Sequence, residues 1–254
     1  MPAADQNVVY VAIVIAFLGF MIGLAKGGFG GLGALLTPLL ALVLPVASAV
    51  GMLLPMLMVG DAFAVYMYWK EWDLDLVKRM LPAGIVGAIA GTALLSWLSP
   101  DGLRIILGIF VLMLVGYKFL SDRIQAIQYK PRPWHAPAAG LVAGVASGMF
   151  NNGGPAFSSY LLLQKFKARP FIATSAIYFA LLNLIKVPGF LYTGVLDLPL
   201  LFSLWWVFPF IPIGIWVART MLTRLSPSAF EWIIIVLLIF SSLWLLRSSV
   251  WQNR

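Results

Sequence analysis

Residues 23–33 read Gly-Leu-Ala-Lys-Gly-Gly-Phe-Gly-Gly-Leu-Gly, and residues 151–155 read Asn-Asn-Gly-Gly-Pro. Both stretches lie among long apolar segments, and each would interrupt a helix because glycine and proline are poor helix formers. The apolar segment at 155–164 would form a helix of about 15 Å, half of the roughly 30 Å hydrocarbon core of a membrane. The two stretches therefore predict broken or re-entrant helices, whose irregular backbone is tolerated at membrane depth only where it is buried in protein or lines a cavity.

The composition indicates that the whole chain resides in a membrane. Of its 254 residues, 62% are hydrophobic and 10% are charged, whereas soluble domains carry about 25% charged residues. The mean hydropathy is +0.97. The apolar runs lie at 8–26, 32–44, 46–69, 81–98, 102–120, 137–151, 155–164, 170–194, 199–218 and 230–247. No basic residue precedes the first run, which favours a retained helix over a cleaved signal peptide. We expect an all-α polytopic membrane protein with roughly eight to ten membrane segments.

The sequence also contains an internal repeat. Eight residues of the first half have an identical residue 121 positions later, namely Gly19, Gly23, Ala25, Gly27, Phe29, Gly33, Leu40 and Leu42. A second set of matches continues in the same order at an offset of 127 positions. The two glycine-rich stretches therefore occupy equivalent positions in a duplicated chain.

This duplication divides the chain into a first repeat at 1–120, a linker at 121–136 and a second repeat at 137–254. Basic residues such as Lys130 and Arg132 lie in the linker, and the positive-inside rule places such segments in the cytoplasm. On this map the two repeats have inverted topology, and each consists of one broken or re-entrant helix and three spanning helices.

Several functional classes are excluded or disfavoured by the residue content. The chain has no cysteine and only one histidine, His135, so thiolate chemistry and multi-histidine metal sites are excluded, and we expect no cofactor and no metal. The net charge of +8 is explained by membrane topology and not by nucleic-acid binding. Residues 28–33 fit G-x-G-x-x-G, but no strand precedes them as a dinucleotide site requires. No phosphate-binding loop of an ATPase is present, so transport would be driven by a gradient or be passive.

The two breaks predict an anion site. Asn before Gly-Gly-Pro suggests an N-cap and a new helix starting at Pro155, and a helix N-terminus carries about half a positive charge that attracts anions. Two such N-termini, one from each repeat, would converge near the membrane midplane. The predicted substrate-binding residues are Lys26, Gly28, Gly30, Gly31, Gly33, Thr37, Asn151, Asn152, Gly153, Gly154, Ser158, Asn183 and Lys186. The alternative is that the glycines only allow close packing, which is sufficient for the stripe at Gly19, Gly23 and Gly27 and for its copy.

Three ionisable side chains lie inside apolar runs: Lys26, Asp61 and Lys186. Charges at this depth are costly and are functional hypotheses by default. Two cations, two helix N-termini and one carboxylate favour an anionic substrate, which leaves Asp61 for proton coupling or for neutralising a lysine. Two structural alternatives stay open: Asp61 and Lys186 could form a buried pair, and Lys26 could extend to the cytoplasmic interface.

The glycine motifs, with Pro-Leu-Leu-Ala-Leu at 38–42 and Gly-Gly-Pro-Ala-Phe at 153–157, resemble the TauE/SafE family of sulfite and organosulfonate exporters. The resemblance covers nearly the whole chain. It implies export of sulfite, sulfoacetate or another small anion across the bacterial cytoplasmic membrane, coupled to an ion gradient. Many members carry a histidine before the second Gly-Gly-Pro. This chain has Asn151 and Asn152 there, which implies that amides take the place of the imidazole.

The resulting hypothesis is a multi-pass secondary transporter that exports a small organic sulfonate or sulfur oxyanion by alternating access. Its partners would be the small anion and the lipid bilayer, and its oligomeric state stays open, a homo-oligomer included. The rival hypotheses are a permease for another small anion or for a cation bound by Asp61 and unwound carbonyls, and a passive channel. An intramembrane enzyme is disfavoured because a recognisable catalytic set is missing.

Overall fold

A computed structural model describes the backbone of residues 2–29, 32–125, 130, 132–203, 205–221 and 227–251. Side chains are described for 15–29, 32–117, 130, 132–199, 202, 205–220 and 235–247. Within these ranges the chain is helical and has no strand. The helices are α1 (Pro2–Gly27), α2 (Gly33–Leu40), α3 (Val46–Met67), α4 (Leu74–Trp97), α5 (Pro100–Gln125), α6 (His135–Phe150), α7 (Gly154–Leu163), α8 (Ala168–Tyr192), α9 (Leu198–Ser203), α10 (Phe210–Met221) and α11 (Pro227–Trp251), with a 3-10 turn at Trp205–Val207.

Several helices have the length and surface of membrane spans. Among the described residues, α3, α4, α8 and Pro100–Tyr117 of α5 are long and apolar enough to cross a membrane. Large apolar side chains such as Val86, Ile89 and Val142 are exposed on the outer faces of α4 and α6. A surface of this kind suits lipid and not water. The all-α, multi-pass prediction is confirmed.

Both predicted helix breaks are present. Helix α1 ends at Gly27 and α2 begins at Gly33, while α6 ends at Phe150 and α7 begins at Gly154. The left-handed backbone conformation of Gly28 (φ 140°) and Asn151 (φ 53°) turns the chain at the end of α1 and of α6. At eight and ten residues, α2 and α7 are about 12 and 15 Å long, too short to cross a membrane.

The expected asparagine N-cap is wrong. The residue that precedes α7 is Gly153, and no side chain caps this helix. Asn151 instead ends α6, where its backbone N–H donates to the carbonyl oxygen of Ser147 at 2.9 Å. Asparagine tolerates the left-handed conformation that such a C-terminal position requires, and this preference wins over its N-cap preference here.

The apolar run at 199–218 is not one uninterrupted helix in the structure. It is divided into α9, the 3-10 turn and α10, which begins at Phe210. Pro209 lies immediately before α10, and a proline disfavours helical backbone at the residue that precedes it. The interruption therefore falls at Phe208 and Pro209.

The two glycine stripes are packing surfaces, as the alternative interpretation predicted. Gly140, Gly144 and Gly148 place α6 directly against the backbone of α4, and Gly19, Gly23 and Gly27 place α1 against α10. These are the two most extensive helix pairings among the described residues. Each pairing joins the first half of the chain to the second. Helices α3 and α8 pack on each other between these pairs. The inverted topology and the repeat boundaries stay predictions.

Replacing Gly144 by alanine is expected to destabilise the protein by about 1–3 kcal/mol, because the added Cβ would overlap the carbonyl oxygen of Gly84. Thermal unfolding of the purified protein in detergent measures the effect. Gly116→Ala on α5 is the matched control, since its added Cβ meets nothing within 4 Å in the part of the chain that the structure describes. The Gly116→Ala substitution should leave the free energy of unfolding unchanged or raise it by up to about 1 kcal/mol. Equal unfolding temperatures of the two variants would contradict the close packing.

Candidate functional site: a polar cavity between two half-helices

A cavity of about 120 Å³ lies where the two helix breaks meet. The end of α1, the start of α2, the break between α6 and α7, the start of α7 and one face of α8 form its walls. The predicted residues that line the cavity are Lys26, Gly28, Gly33, Asn151, Asn152, Gly154, Ser158 and Asn183. Most of the predicted ligands that the structure describes therefore share one cavity.

The first residues of the two half-helices face this cavity without a side chain. A Cβ added at Gly33 or at Gly154 would meet no atom of the described residues within 4 Å. The first four N–H groups of a helix have no acceptor within that helix, so they are available to another acceptor, and they carry partial positive charge. The start of α2 and the start of α7 therefore present polar backbone to the same space.

Two hydrogen bonds tie the breaks together across the two halves of the chain. The Thr37 hydroxyl donates to the carbonyl oxygen of Phe150 at 2.5 Å, and the Asn152 amide Nδ2 donates to the carbonyl oxygen of Ala34 at 3.1 Å. Both carbonyl groups are near helix ends. Thr37 and Asn152 are buried, so these bonds hold α2 and α7 in a defined relation. Thr37 thus supports the cavity and does not line it.

Lys26, Asp61 and Asn183 form a buried cluster at one side of the cavity. The Lys26 ammonium makes an ion pair with Asp61 Oδ1, and Asn183 Nδ2 donates to Asp61 Oδ2 at 2.7 Å. Asp61 is fully buried, while the Lys26 side chain is 18% exposed and lies 5.6 Å from the centroid of the Phe179 ring. The alternative in which Lys26 extends to the membrane interface is wrong, because its ammonium points inward to a carboxylate.

Lys186 is surrounded by oxygen atoms behind the cavity wall. Its ammonium donates to Asn151 Oδ1 at 2.7 Å and to the carbonyl and hydroxyl oxygens of Ser147, both at 3.1 Å. The structural alternative that paired Lys186 with Asp61 is wrong, because the carboxylate bonds to Lys26 and Asn183. Among the described contacts, each of the two side chains bonds to other partners and not to the other one.

Of the remaining predicted residues, Gly153 is described by the structure and is absent from the cavity lining. Gly153 is buried, and a Cβ at this position would overlap the carbonyl oxygen of Ala143, so close approach explains this glycine. Gly30 and Gly31 fall outside the described residues. The roles assigned to all these residues in binding stay predictions.

Sequence reasoning missed part of the wall. The residues concerned are Ala25, Ala34, Leu36, Leu57, Ser147, Pro155, Phe171, Ile172, Ser175, Ala176 and Phe179. Two signals could have found some of them: Ser147 lies 121 positions after Lys26, and Phe171, Ser175 and Phe179 are spaced by four residues on one face of α8. Helix α8 contributes mainly apolar residues together with Ser175 and Asn183, and the two helix breaks contribute Lys26, Asn151, Asn152 and Ser158.

The described helices, with a cavity between two half-helices, define a multi-pass helical membrane protein. The profile of the family described as "Sulfite exporter TauE/SafE" matches residues 15–245, so the chain belongs to this family. The resemblance identified from the glycine motifs is thereby confirmed. The family is one of membrane transporters and not of enzymes.

The chain is also similar to the "Probable membrane transporter protein YtnM" of Bacillus subtilis (strain 168). The two are 29% identical over 164 residues, which cover 60% of this chain and 55% of the relative. The match thus spans about half the length of that curated protein. No solved structure matches the chain.

Proposed function

We propose that this protein is a secondary transporter that exports a small organic sulfonate or sulfur oxyanion across the bacterial cytoplasmic membrane by alternating access. The observation that carries the proposal is the cavity into which the starts of α2 and α7 and the Lys26 ammonium all face. Helix N-termini and a lysine at one point inside apolar surroundings are typical of an anion site in a transporter.

The donors that remain free in the cavity support an anionic ligand. An ammonium has three hydrogens, and Asp61 takes one hydrogen of Lys26, which leaves two for a substrate. The Ser158 hydroxyl lines the cavity and has no partner among the described residues. The cavity holds about 120 Å³, roughly ten times the space that one water requires. A tetrahedral oxyanion with a short organic substituent would fit this space.

The amide side chains have a different part in the proposal. The Nδ2 groups of Asn151 and Asn152 donate to the carbonyl oxygens of Val50 and Ala34, at 2.7 and 3.1 Å. Their hydrogens are therefore engaged in fixing the breaks. We assign these two residues to positioning the half-helices, with Lys26, Ser158 and the open backbone at Gly33 and Gly154 contacting the anion.

A transport assay with purified protein in liposomes tests this function. Vesicles loaded with sulfite, sulfoacetate or sulfate are expected to show protein-dependent, saturable efflux of at least one of these anions. Vesicles without protein are the control. Flux that does not saturate would indicate a passive channel, and flux of sodium or potassium in place of anions would indicate a cation permease. The cation permease is disfavoured because both carboxylate oxygens of Asp61 already bond to Lys26 and Asn183.

Asp61→Asn is expected to weaken the pH dependence of transport while the protein stays in the membrane. In this proposal Asp61 couples transport to protons. Its carboxylate is the acidic group of the cluster, and protonation would change it from negative to neutral and so weaken its ion pair with Lys26. Asparagine keeps the shape but cannot ionise. Efflux from liposomes over a series of pH values measures the effect. Asp75→Asn, at an exposed position on α4, is the matched control and should leave the pH dependence of transport unchanged. A pH profile unchanged by Asp61→Asn would remove the coupling role.

A further inference from the structure

Helix α2 contains a proline that leaves one of the helix's own carbonyl groups without a helical partner. Pro38 lies inside α2, and a proline has no backbone N–H to donate to the carbonyl oxygen four residues earlier. That oxygen belongs to Ala34, which is buried. A buried carbonyl without a donor is unfavourable, because it has lost its hydrogen bond to water. The carbonyl of Ala34 therefore requires a donor from outside its own helix.

The break between α6 and α7 supplies this donor. The Asn152 amide Nδ2 donates to the carbonyl oxygen of Ala34 at 3.1 Å, and Asn152 is itself buried. A carbonyl oxygen can only accept, so the NH2 group of the amide is the part that faces α2. Pro38 removes the helical donor and Asn152 replaces it, although the two residues lie in opposite halves of the chain.

A second bond runs in the opposite direction between the same two elements. The Thr37 hydroxyl donates to the carbonyl oxygen of Phe150. Phe150 is the last residue of α6, so its carbonyl has no donor within that helix either. Each element thus donates a hydrogen to a carbonyl that the other element's helix leaves unpaired. Both bonds fix α2 close to the end that borders the cavity, because Ala34 lines the cavity next to Gly33.

We infer that Pro38 and Asn152 act as one positioning unit for the candidate site. The proline leaves the Ala34 carbonyl open to a donor from the other half of the chain, and the resulting bond sets the first turn of α2 against the start of α7. Pro38 is absent from the cavity lining and acts through Ala34. The inference rests on the proposed function in one respect, since the N–H groups that the bond positions are those proposed to contact the anion.

A double-mutant cycle tests whether the two residues act together. Asn152→Ala alone should lower the unfolding temperature by about 2–8 °C, because the Ala34 carbonyl loses its donor. Pro38→Ala gives residue 38 an N–H for this carbonyl, so in that background Asn152→Ala should lower the unfolding temperature by less than about half as much. Pro82→Ala on α4 is the matched control, since it also removes a proline from inside a helix. In the control background Asn152→Ala should have its full effect.

Binding of methanesulfonate separates positioning from stability alone. Calorimetry on the purified protein in detergent gives the dissociation constant. Asn152→Ala should weaken binding by about tenfold, a loss typical of removing a group that orients a ligating residue. Pro38→Ala/Asn152→Ala should be nearly as stable as Pro38→Ala and yet keep the weak binding, because a bond within α2 does not connect α2 to α7. A merely structural bond would let both quantities recover together.

The possible failures can be told apart. A wild type that binds neither methanesulfonate nor sulfite would contradict the proposed anion site, and with it the part of the inference that concerns the anion. Equal losses of unfolding temperature from Asn152→Ala in the wild-type and Pro38→Ala backgrounds would overturn the link between the two residues. Full recovery of methanesulfonate binding in the double variant would overturn the positioning role and leave the anion site standing.

Discussion

Gly33→Leu is expected to reduce transport by at least about 100-fold, equivalent to about 2.7 kcal/mol of lost binding, while the protein stays folded. Gly33 is the first residue of α2, and a Cβ there meets no atom within 4 Å. The leucine side chain would therefore begin in open space and extend towards the cavity that Gly33 lines. It would occupy space that the solute needs and would cover the N–H groups at the start of the helix. Efflux from liposomes measures the loss of transport, and the unfolding temperature shows whether the variant stays folded.

Gly116→Leu on α5 provides the control, because a Cβ at this glycine also meets no described atom within 4 Å and the residue is absent from the cavity lining. It should alter neither transport nor stability. Undiminished transport by Gly33→Leu would show that the solute does not pass the start of α2. Loss of folding in Gly33→Leu alone would contradict the open space seen at this glycine.

Lys26→Met should weaken binding of a small sulfonate by about 100-fold and also destabilise the protein by about 3–5 kcal/mol. The first effect follows from the loss of the ammonium that lines the cavity. The second follows because Asp61 is fully buried and would lose its ion-pair partner. Calorimetry with methanesulfonate measures binding, and thermal unfolding measures stability.

A second substitution separates the two effects of losing Lys26. Lys26→Met/Asp61→Asn removes the unpaired carboxylate, so the unfolding temperature should recover while the affinity stays low. Lys78→Met, which removes an exposed lysine from α4, should change neither quantity. Wild-type affinity in Lys26→Met would exclude this lysine as an anion ligand.

The broken helices could be predicted from the sequence because their cause is local. Glycine clusters and Gly-Gly-Pro interrupt helices whatever surrounds them, and the apolar runs set the depth of each break in the membrane. The repeat then predicted that Gly33 and Gly154 would be equivalent, and both are open to the same cavity. The packing role of the glycine stripes could be predicted for the same reason, since small residues at every fourth position form one face of a helix.

The pairing of charges could not be predicted because it depends on how helices are rotated about their axes. Asp61 and Lys186 lie at similar depth by residue count, yet Asp61 bonds to Lys26 and Asn183, and Lys186 bonds to Ser147 and Asn151. The prediction of an asparagine N-cap was wrong for a related reason. Asparagine suits either end of a helix, and the tertiary structure uses Asn151 at the C-terminus of α6.

Helix α1 packs on α10 and α4 packs on α6, so each pairing joins one helix from each half of the chain. This arrangement bears on how such a protein could have originated. Each glycine stripe is covered by a helix from the opposite half of the chain, so a half-length ancestor on its own would leave this stripe bare in the lipid. Such an ancestor would have covered its glycine stripe only as a dimer. If the two halves arose by duplication, joining them in one chain would make that association permanent and would leave equivalent positions, such as Lys26 and Ser147, free to differ.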